Sequence, residues 1–438
     1  MNATAAARPE EPDLNLAGGT PDRPVSGDER IVALDFIRGI AVLGILFPNI
    51  VAFGNPILAY FWPDGLPGGA TAADRGFWLF QFVLMDGKFR GLFTLLFGAG
   101  VMLFMERTWA RGGTLRLQVR RLIWLALFGL AHYFLLWTGD ILFLYAIAGL
   151  IALPMLGWEA KTQLRVGLIW YCSGALLFTA LLGSQAAIES IPAVQAQDPE
   201  AYKQLGRSLA EMIAKAEGES RIMREASFPG IVAWRAIEEG RNLVTQVPFF
   251  ALVETVPLML IGMALYRLGL FDRRFDPARM RRWGWIGLIG GLLLSIPLGL
   301  WVMAMDFPLM LTQFAFNGPS QFLHLAMVLG LASLLALWAP DASRTWLGSR
   351  FVAAGRMAFS NYLGTSLVLA FVFQGWAGGL YGELHRPGLL IVVLAMWLLM
   401  LAWSKPWLAR FRYGPLEWLW RCLTYGKVVP FRRSPVLD

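Results

Sequence analysis

The sequence predicts an all-α, polytopic integral membrane protein with about ten transmembrane helices and both termini in the cytoplasm. Three observations carry that expectation. Of 438 residues, 57% are hydrophobic and 16% charged, with a mean hydropathy of +0.54. A soluble chain usually has about a quarter charged residues and just under half apolar ones. The apolar residues fall in runs that match the about 20 residues a helix needs to cross a bilayer. Lysines and arginines collect in alternate connections between those runs, as the positive-inside rule requires. The net charge of +8 follows from that distribution, so it points to the lipid bilayer as a partner and away from nucleic acid.

Taken in order, residues 1–30 are rich in Pro, Gly, Asp and Glu and read as a disordered cytoplasmic tail. They lack the basic-then-apolar layout of a cleaved signal, so the first apolar run is expected to stay in the membrane. Ten candidate spans follow, at about 31–53, 77–105, 117–137, 140–156, 164–183, 247–268, 283–305, 320–338, 352–374 and 388–404. The second is over-long for an about 30 Å hydrocarbon core, which predicts tilt or a break near Asp86-Gly87-Lys88. The third and fourth are joined only by Thr138-Gly139-Asp140, a tight hairpin.

Basic residues concentrate at 106–121, 267–282, 344–350 and after 404, while the alternate connections hold few. The long 184–246 segment, placed outside, escapes the rule because loops beyond about 60 residues translocate regardless of charge. Its stretch 198–226 mixes both charge signs at helical spacing, which predicts an amphipathic helix or helix pair, either a solvated spacer or a lid. The units are therefore 1–30, a five-helix unit at 31–183 that holds the candidate active site, the outer segment 184–246, a second five-helix unit at 247–427, and a cytoplasmic tail at 428–438.

Ionisable side chains inside a span are costly and tend to face a cavity or a partner. Asp35 and Arg38 share a face of the first span at i,i+3, either as a boundary ion pair or with the guanidinium recruiting a phosphate-bearing donor. Asp86, Lys88 and Arg90, with two glycines between residues 85 and 91, form a second cluster, in which Asp86 and Arg90 can pair if the helix is continuous. His132 near the end of span three and Asp140 at the start of span four are brought together by the hairpin. A carboxylate beside an imidazole fixes its tautomer and raises its basicity, as a general base requires. Glu254 lies three residues before Pro257 and reads equally as a catalytic group or as the partner of an arginine in the Asp86 cluster. Asn49 and His324 are weaker candidates that read first as packing hydrogen bonds. Arg356, Asn361 and Tyr362 open span nine as an anion anchor or an interface cap.

The two cysteines and three widely spaced histidines imply neither a disulfide framework nor a metal site, so no metal is expected. Phosphate-cradling loops, zinc-protease and nucleophile-elbow motifs are also missing from the sequence, which excludes an ATP-driven pump acting by itself.

Several motifs in order resemble the YeiB family. They are Leu34-Asp-Phe-Ile-Arg-Gly39 with Asn49, Lys88-Phe-Arg-Gly91 running on to Gly100, and His132 with Trp137-Thr-Gly-Asp140 and Tyr145. Gly262 to Tyr266, Gly355-Arg-Met-Ala358 with Asn361-Tyr-Leu363, and Gly414 to Arg421 are similar to its C-terminal region, known as domain of unknown function 418. The resemblance covers about 31–427 and implies a multi-pass protein of the bacterial inner membrane. It also implies kinship with membrane acyltransferases such as heparan-α-glucosaminide N-acetyltransferase, which move an acyl group from cytoplasmic acyl-CoA to a glycan on the far side. On that footing acyl-CoA is the expected co-substrate, with a glycan or small molecule as acceptor. His132 is then the base and Asp140 its orienting partner, while Arg38, Lys88 and Arg90 bind the donor or stabilise the oxyanion. Residues 54–75 contain no histidine, unlike the first non-cytoplasmic loop of the lysosomal enzyme. Either His132 fills that role or this branch does different chemistry. A transporter of a small anionic or amphipathic metabolite is the alternative, and a scaffold locked by internal charges is a third reading.

Overall fold

The computed structural model describes residues 31–272 and 274–433; the tail expected at 1–30 and the last residues of the tail expected at 428–438 lie outside them. Apart from one isolated bridge between Phe411 and Arg432, regular structure among the described residues is helical. In chain order the main helices are α1 (Val32–Gly54), α2 (Ala72–Phe80), α3 (Lys88–Ala110), α4 (Leu115–Leu135), α5 (Leu142–Ala152), α6 (Ala160–Ser190) and α7 (Pro199–Glu225). They continue as α8 (Phe228–Leu268), α9 (Pro277–Ala304), α10 (Leu309–Ala342), α11 (Trp346–Arg356), α12 (Ala358–Phe373), α13 (Arg386–Arg410) and α14 (Pro415–Tyr425).

Seven stretches are long and apolar enough to cross a membrane: α1, the α2–α3 run, α6, α8, α9, α10 and α13. The α11–α12 pair, bent by 83°, brings the number to eight. The sequence predicts about ten. The two that fall short are helical where expected, but α4 carries Arg116, Gln118, Arg120 and Arg121 in its first two turns, and the α5 run ends at Gly157. Exposed apolar side chains line the outer helices, among them Ile169 and Leu181 on α6, Leu293 and Leu294 on α9, and Ile391 and Leu398 on α13. An apolar belt of this kind is stable in lipid and unstable in water. The protein is a helical, multi-pass membrane protein.

Helix breaks fall where the sequence supplies a reason. The α2–α3 run loosens into a wide turn at Gln81–Met85, leaves Asp86 extended, and restarts after Gly87 at φ +71°, a conformation that glycine adopts without steric cost. The predicted Asp86–Arg90 pairing lapses here, because Asp86 is outside the helix that carries Arg90. Inside α8, a second wide turn at Ala251–Thr255 precedes Pro257, which has no N–H to continue the ladder. Thr255 Oγ1 donates to the Phe250 carbonyl at 3.3 Å. The α11–α12 bend is bracketed by Asn361, whose amide donates to the Ala354 carbonyl and to Ser404 Oγ, both at 3.1 Å, and accepts from Trp403 Nε1 at 2.9 Å.

The amphipathic helix expected at 198–226 is α7. Asp198 caps it, accepting from the Ala201 N–H at 2.9 Å. It is fastened onto the connecting loops rather than standing off as a spacer: Glu219 accepts from Tyr381 Oη at 3.0 Å and from the Ile57 N–H at 3.2 Å, and Arg224 pairs with Glu383.

Candidate functional site

A chamber of about 260 Å³ opens at the end of the bundle where α1 begins. Helical spacing builds its walls. One stripe of α3 supplies Phe93, Leu96, Phe97, Gly100, Phe104 and Arg107, and one stripe of α14 supplies Glu417, Trp420, Arg421 and Thr424; both follow the i, i+3, i+4, i+7 rule. The rim is basic. Arg38, Arg107, Arg121, Arg356, Arg412 and Arg421 line the chamber against two acids, Asp35 and Glu417.

Both acids are committed. Arg38 Nη1 donates to Asp35 Oδ1 at 3.0 Å, so the i,i+3 pairing expected of them is formed. Glu417 accepts from the Phe359 and Ser360 N–H groups at 2.8 and 3.0 Å, capping the first turn of α12 from a neighbouring helix, and burial pushes its carboxyl above the usual range. Arg121 lies over the rings of Phe104 and Trp420, with its guanidinium carbon 4.6 and 4.5 Å from their centres. Such stacking holds a guanidinium in place while leaving its edge for an anion.

Much of the lining is apolar and buried, and one part of that wall is formed by Ile141, Leu142, Tyr145 and Tyr362. Directly behind that wall is the hairpin pair. Asp140 Oδ1 and His132 Nδ1 are 2.7 Å apart, with both side chains fully enclosed. Asp140 Oδ2 also accepts from the Phe143 N–H at 2.6 Å, which fixes the carboxylate at the start of α5. His132 Nε2 is 2.8 Å from Ser366 Oγ on α12. Tyr362, one turn before Ser366, places its ring 5.0 Å from the imidazole and accepts from the Ile141 N–H at 3.3 Å. A carboxylate on Nδ1 leaves Nε2 as the basic nitrogen, so the constellation can take a proton from a hydroxyl at Nε2.

The remaining sequence candidates lie elsewhere. Arg90 Nη1 donates to Glu254 Oε1 at 2.6 Å, so Glu254 is the partner of an arginine in the Asp86 cluster. Asp86 accepts from Tyr60 Oη, and the buried Lys88 donates to the Phe82 carbonyl at 2.7 Å. These groups do not line the chamber. They are one layer behind it: Tyr145, in the chamber wall, donates to the Arg90 carbonyl at 3.3 Å and shares a hydrogen bond with Thr94. Asn361 is the bracket of the helix bend, and Asn49 is half-buried on α1 outside the chamber lining. His324 is buried against Gly87, and neither ring nitrogen has a partner among the described residues, so the packing hydrogen bond expected of it is absent.

Sequence reasoning missed Ser366, Glu417 and the chamber-facing Arg107, Arg121, Arg412 and Arg421. The arginines read as orientation signals flanking spans, and their spacing does not mark which of them face a chamber, since the rings Arg121 stacks on belong to other helices. Among the described residues no group of three His, Cys, Asp or Glu side chains could hold a metal ion.

Comparison with known proteins follows the same outline. Residues 265–427 match a family described as "Protein of unknown function (DUF418)". The chain is 32% identical to "Uncharacterized protein YeiB" of Escherichia coli (strain K12) over 92% of its own length and 98% of the relative's. It is 31% identical to "Uncharacterized protein YxaH" of Bacillus subtilis (strain 168), over 94% of its length and 98% of that protein. A third relative, an "Uncharacterized 39.9 kDa protein in amylase 3'region" of Bacillus acidopullulyticus, is 26% identical over 93% of the chain. No solved structure matches. With near-complete coverage on both sides, the chain belongs to the YeiB family.

Proposed function

We propose that this protein is an acyltransferase of the bacterial inner membrane, taking an acyl group from cytoplasmic acyl-CoA and delivering it to an acceptor on the far side. One observation carries the reading: an arginine-rimmed mouth leads into an apolar chamber that ends one residue layer from a buried imidazole–carboxylate pair. An acyl-CoA has the same polarity profile, with phosphates at one end and an apolar chain joined through a reactive thioester at the other. Guanidinium groups bind phosphate bidentately, and Phe93, Leu96 and Phe97 provide the surface an acyl–pantetheine arm needs. The positive-inside rule supports a cytoplasmic position for this mouth, the side on which acyl-CoA is found. His132 is the base, Asp140 orients it, and the Arg90–Glu254 pair supports the wall through Tyr145.

Reconstituted protein should bind acetyl- or palmitoyl-CoA with an affinity that falls as salt rises. Arg38→Gln should weaken binding by about ten- to a hundredfold, the scale of one charge-assisted hydrogen bond of about 1.5–3 kcal/mol. His132→Ala should abolish turnover and leave binding intact. Absence of binding by the wild type sinks the proposal.

The chamber's closure at Ile141 and Tyr362 favours a second reading, an inward-open transporter of an amphipathic anion. Uptake into vesicles that survives His132→Ala but not Arg38→Gln would select it.

A further inference from the structure

The base in this site has its one available nitrogen already committed. Asp140 holds Nδ1 of His132, and the other ring nitrogen, Nε2, is 2.8 Å from Ser366 Oγ. Ser366 is 1% exposed, and both other members of the chain have fully enclosed side chains. The Tyr362 carbonyl, 3.2 Å from Ser366 Oγ, is the other acceptor within reach of that hydroxyl; with the proton turned to Nε2, the shorter contact, the hydroxyl that His132 can deprotonate is that of Ser366, not one arriving from outside. Ser366 stands one turn beyond Tyr362, the residue that closes the chamber, on the same helix face.

Resting on the acyltransferase reading, we infer that Ser366 is the nucleophile of a two-step transfer and carries the acyl group as an ester between donor and acceptor. In the first step Ser366 Oγ attacks the thioester carbonyl and its proton passes to His132 Nε2. The tetrahedral intermediate collapses, the C–S bond breaks, and the CoA sulfur leaves with the proton from Nε2. In the second step the acceptor hydroxyl or amine attacks the ester carbonyl and gives its proton to Nε2. The C–O bond to Ser366 then breaks, and Oγ recovers that proton. No oxidant or reductant is needed. Ser366 lies behind the chamber wall, so the Tyr362 side chain must swing aside for the thioester to reach it; with the acyl group held on Ser366, donor and acceptor then occupy the site in turn.

The test uses the full chain in detergent or nanodiscs with acetyl-CoA and palmitoyl-CoA carrying a radiolabelled acyl group, without acceptor, followed by denaturation. Wild-type protein should retain covalent label that alkaline hydroxylamine releases and neutral hydroxylamine does not, as for an oxygen ester. Ser366→Ala should lose at least tenfold of that label while still binding acyl-CoA. Ser366→Cys should regain label, now released by neutral hydroxylamine as a thioester. A purely structural hydrogen bond would not move this change in lability. Label persisting in Ser366→Ala, or acyl-CoA binding by the wild type without any label, overturns the relay and leaves the acyltransferase reading standing. Failure of the wild type to bind either acyl-CoA overturns both.

Discussion

Gly39 on α1 and Gly355 on α11 pack backbone against backbone. A Cβ on Gly39 would stand 1.9 Å from the Phe351 carbonyl oxygen, and one on Gly355 would stand 1.9 Å from that of Asp35. Small residues let membrane helices approach this closely, and the crossing sets the distance between Arg38 and Arg356 at the chamber rim. The obstacle in each case is main chain, which cannot rotate away. Gly39→Ala and Gly355→Ala should therefore cost about 1–3 kcal/mol, the usual penalty of overpacking, and, on the acyltransferase proposal, weaken acyl-CoA binding as the rim spreads. Gly364→Ala on α12, where nothing lies within 4 Å, is the control and should be neutral or stabilising. Thermal unfolding in detergent with parallel binding curves checks this; equal melting temperatures for all three variants would contradict it.

The Arg90–Glu254 pair joins α3 to α8 at 2.6 Å. Removing one partner of an enclosed ion pair leaves an uncompensated charge, at a cost of about 3–5 kcal/mol when burial is complete. Arg90 keeps about a third of its side-chain surface exposed, so the lower end applies. Arg90→Met and Glu254→Met should each destabilise strongly, while the double variant should recover at least half of the summed loss. Additive losses in a double-mutant cycle would show that the pair is not the lock.

The helices were legible because apolar runs and their breaks are one-dimensional signals: Gly87 between charged residues marks a break wherever the chain goes. The His132–Asp140 contact was legible for the same reason, since a three-residue hairpin leaves the two side chains little freedom to separate. Arg90 and Glu254 are 164 positions apart, so the sequence offered their pairing only as one of two readings. Arg121 and Arg421 were hidden differently. A basic residue at the end of a span serves orientation whether it faces headgroups or a chamber, and only the packing of α14 against α4 decides which. Ser366 gave no signal, because a serine in an apolar helix is ordinarily satisfied by the carbonyl one turn back, and the Tyr362 carbonyl is within reach of Ser366 Oγ at 3.2 Å.

Glu417 gives α12 a cap from outside its own chain segment. Its Oε1 accepts from both the Phe359 and Ser360 N–H groups, and its Oε2 accepts from Ser360 Oγ at 2.5 Å. Without it, the first turn of α12, just after the bend, keeps buried donors unsatisfied. Glu417→Ala should cost about 1–3 kcal/mol and loosen α14 from the chamber. Glu417→Gln keeps one acceptor oxygen for the two N–H groups and should lose less than half as much. Equal losses would mean that charge, not capping, is what matters there.

Glu219, on α7 and outside the spans, makes the docking of that helix depend on pH. Burial pushes its carboxyl up from an ordinary value near 4.5 to about 7, assisted by Glu239; the Ile57 N–H, the Tyr381 hydroxyl and Lys215 favour the charged form but do not prevail. A folded value above the unfolded one means that the docked state binds more protons between these limits, so stability falls as pH rises through the window. Docking should be tightest below about 4.5, weaken from there to about 7, and level off above. Because the side chain is only half-buried, the swing should be on the order of 1 kcal/mol, less than the full shift implies. Hydrogen exchange of residues 199–225, corrected for intrinsic rates, should show more protection at pH 5.5 than at pH 8. Glu219→Gln, fixed in the neutral form, should flatten that difference and keep α7 docked at pH 8. A wild-type profile that rises with pH, or one unchanged in the variant, would place the pH dependence elsewhere.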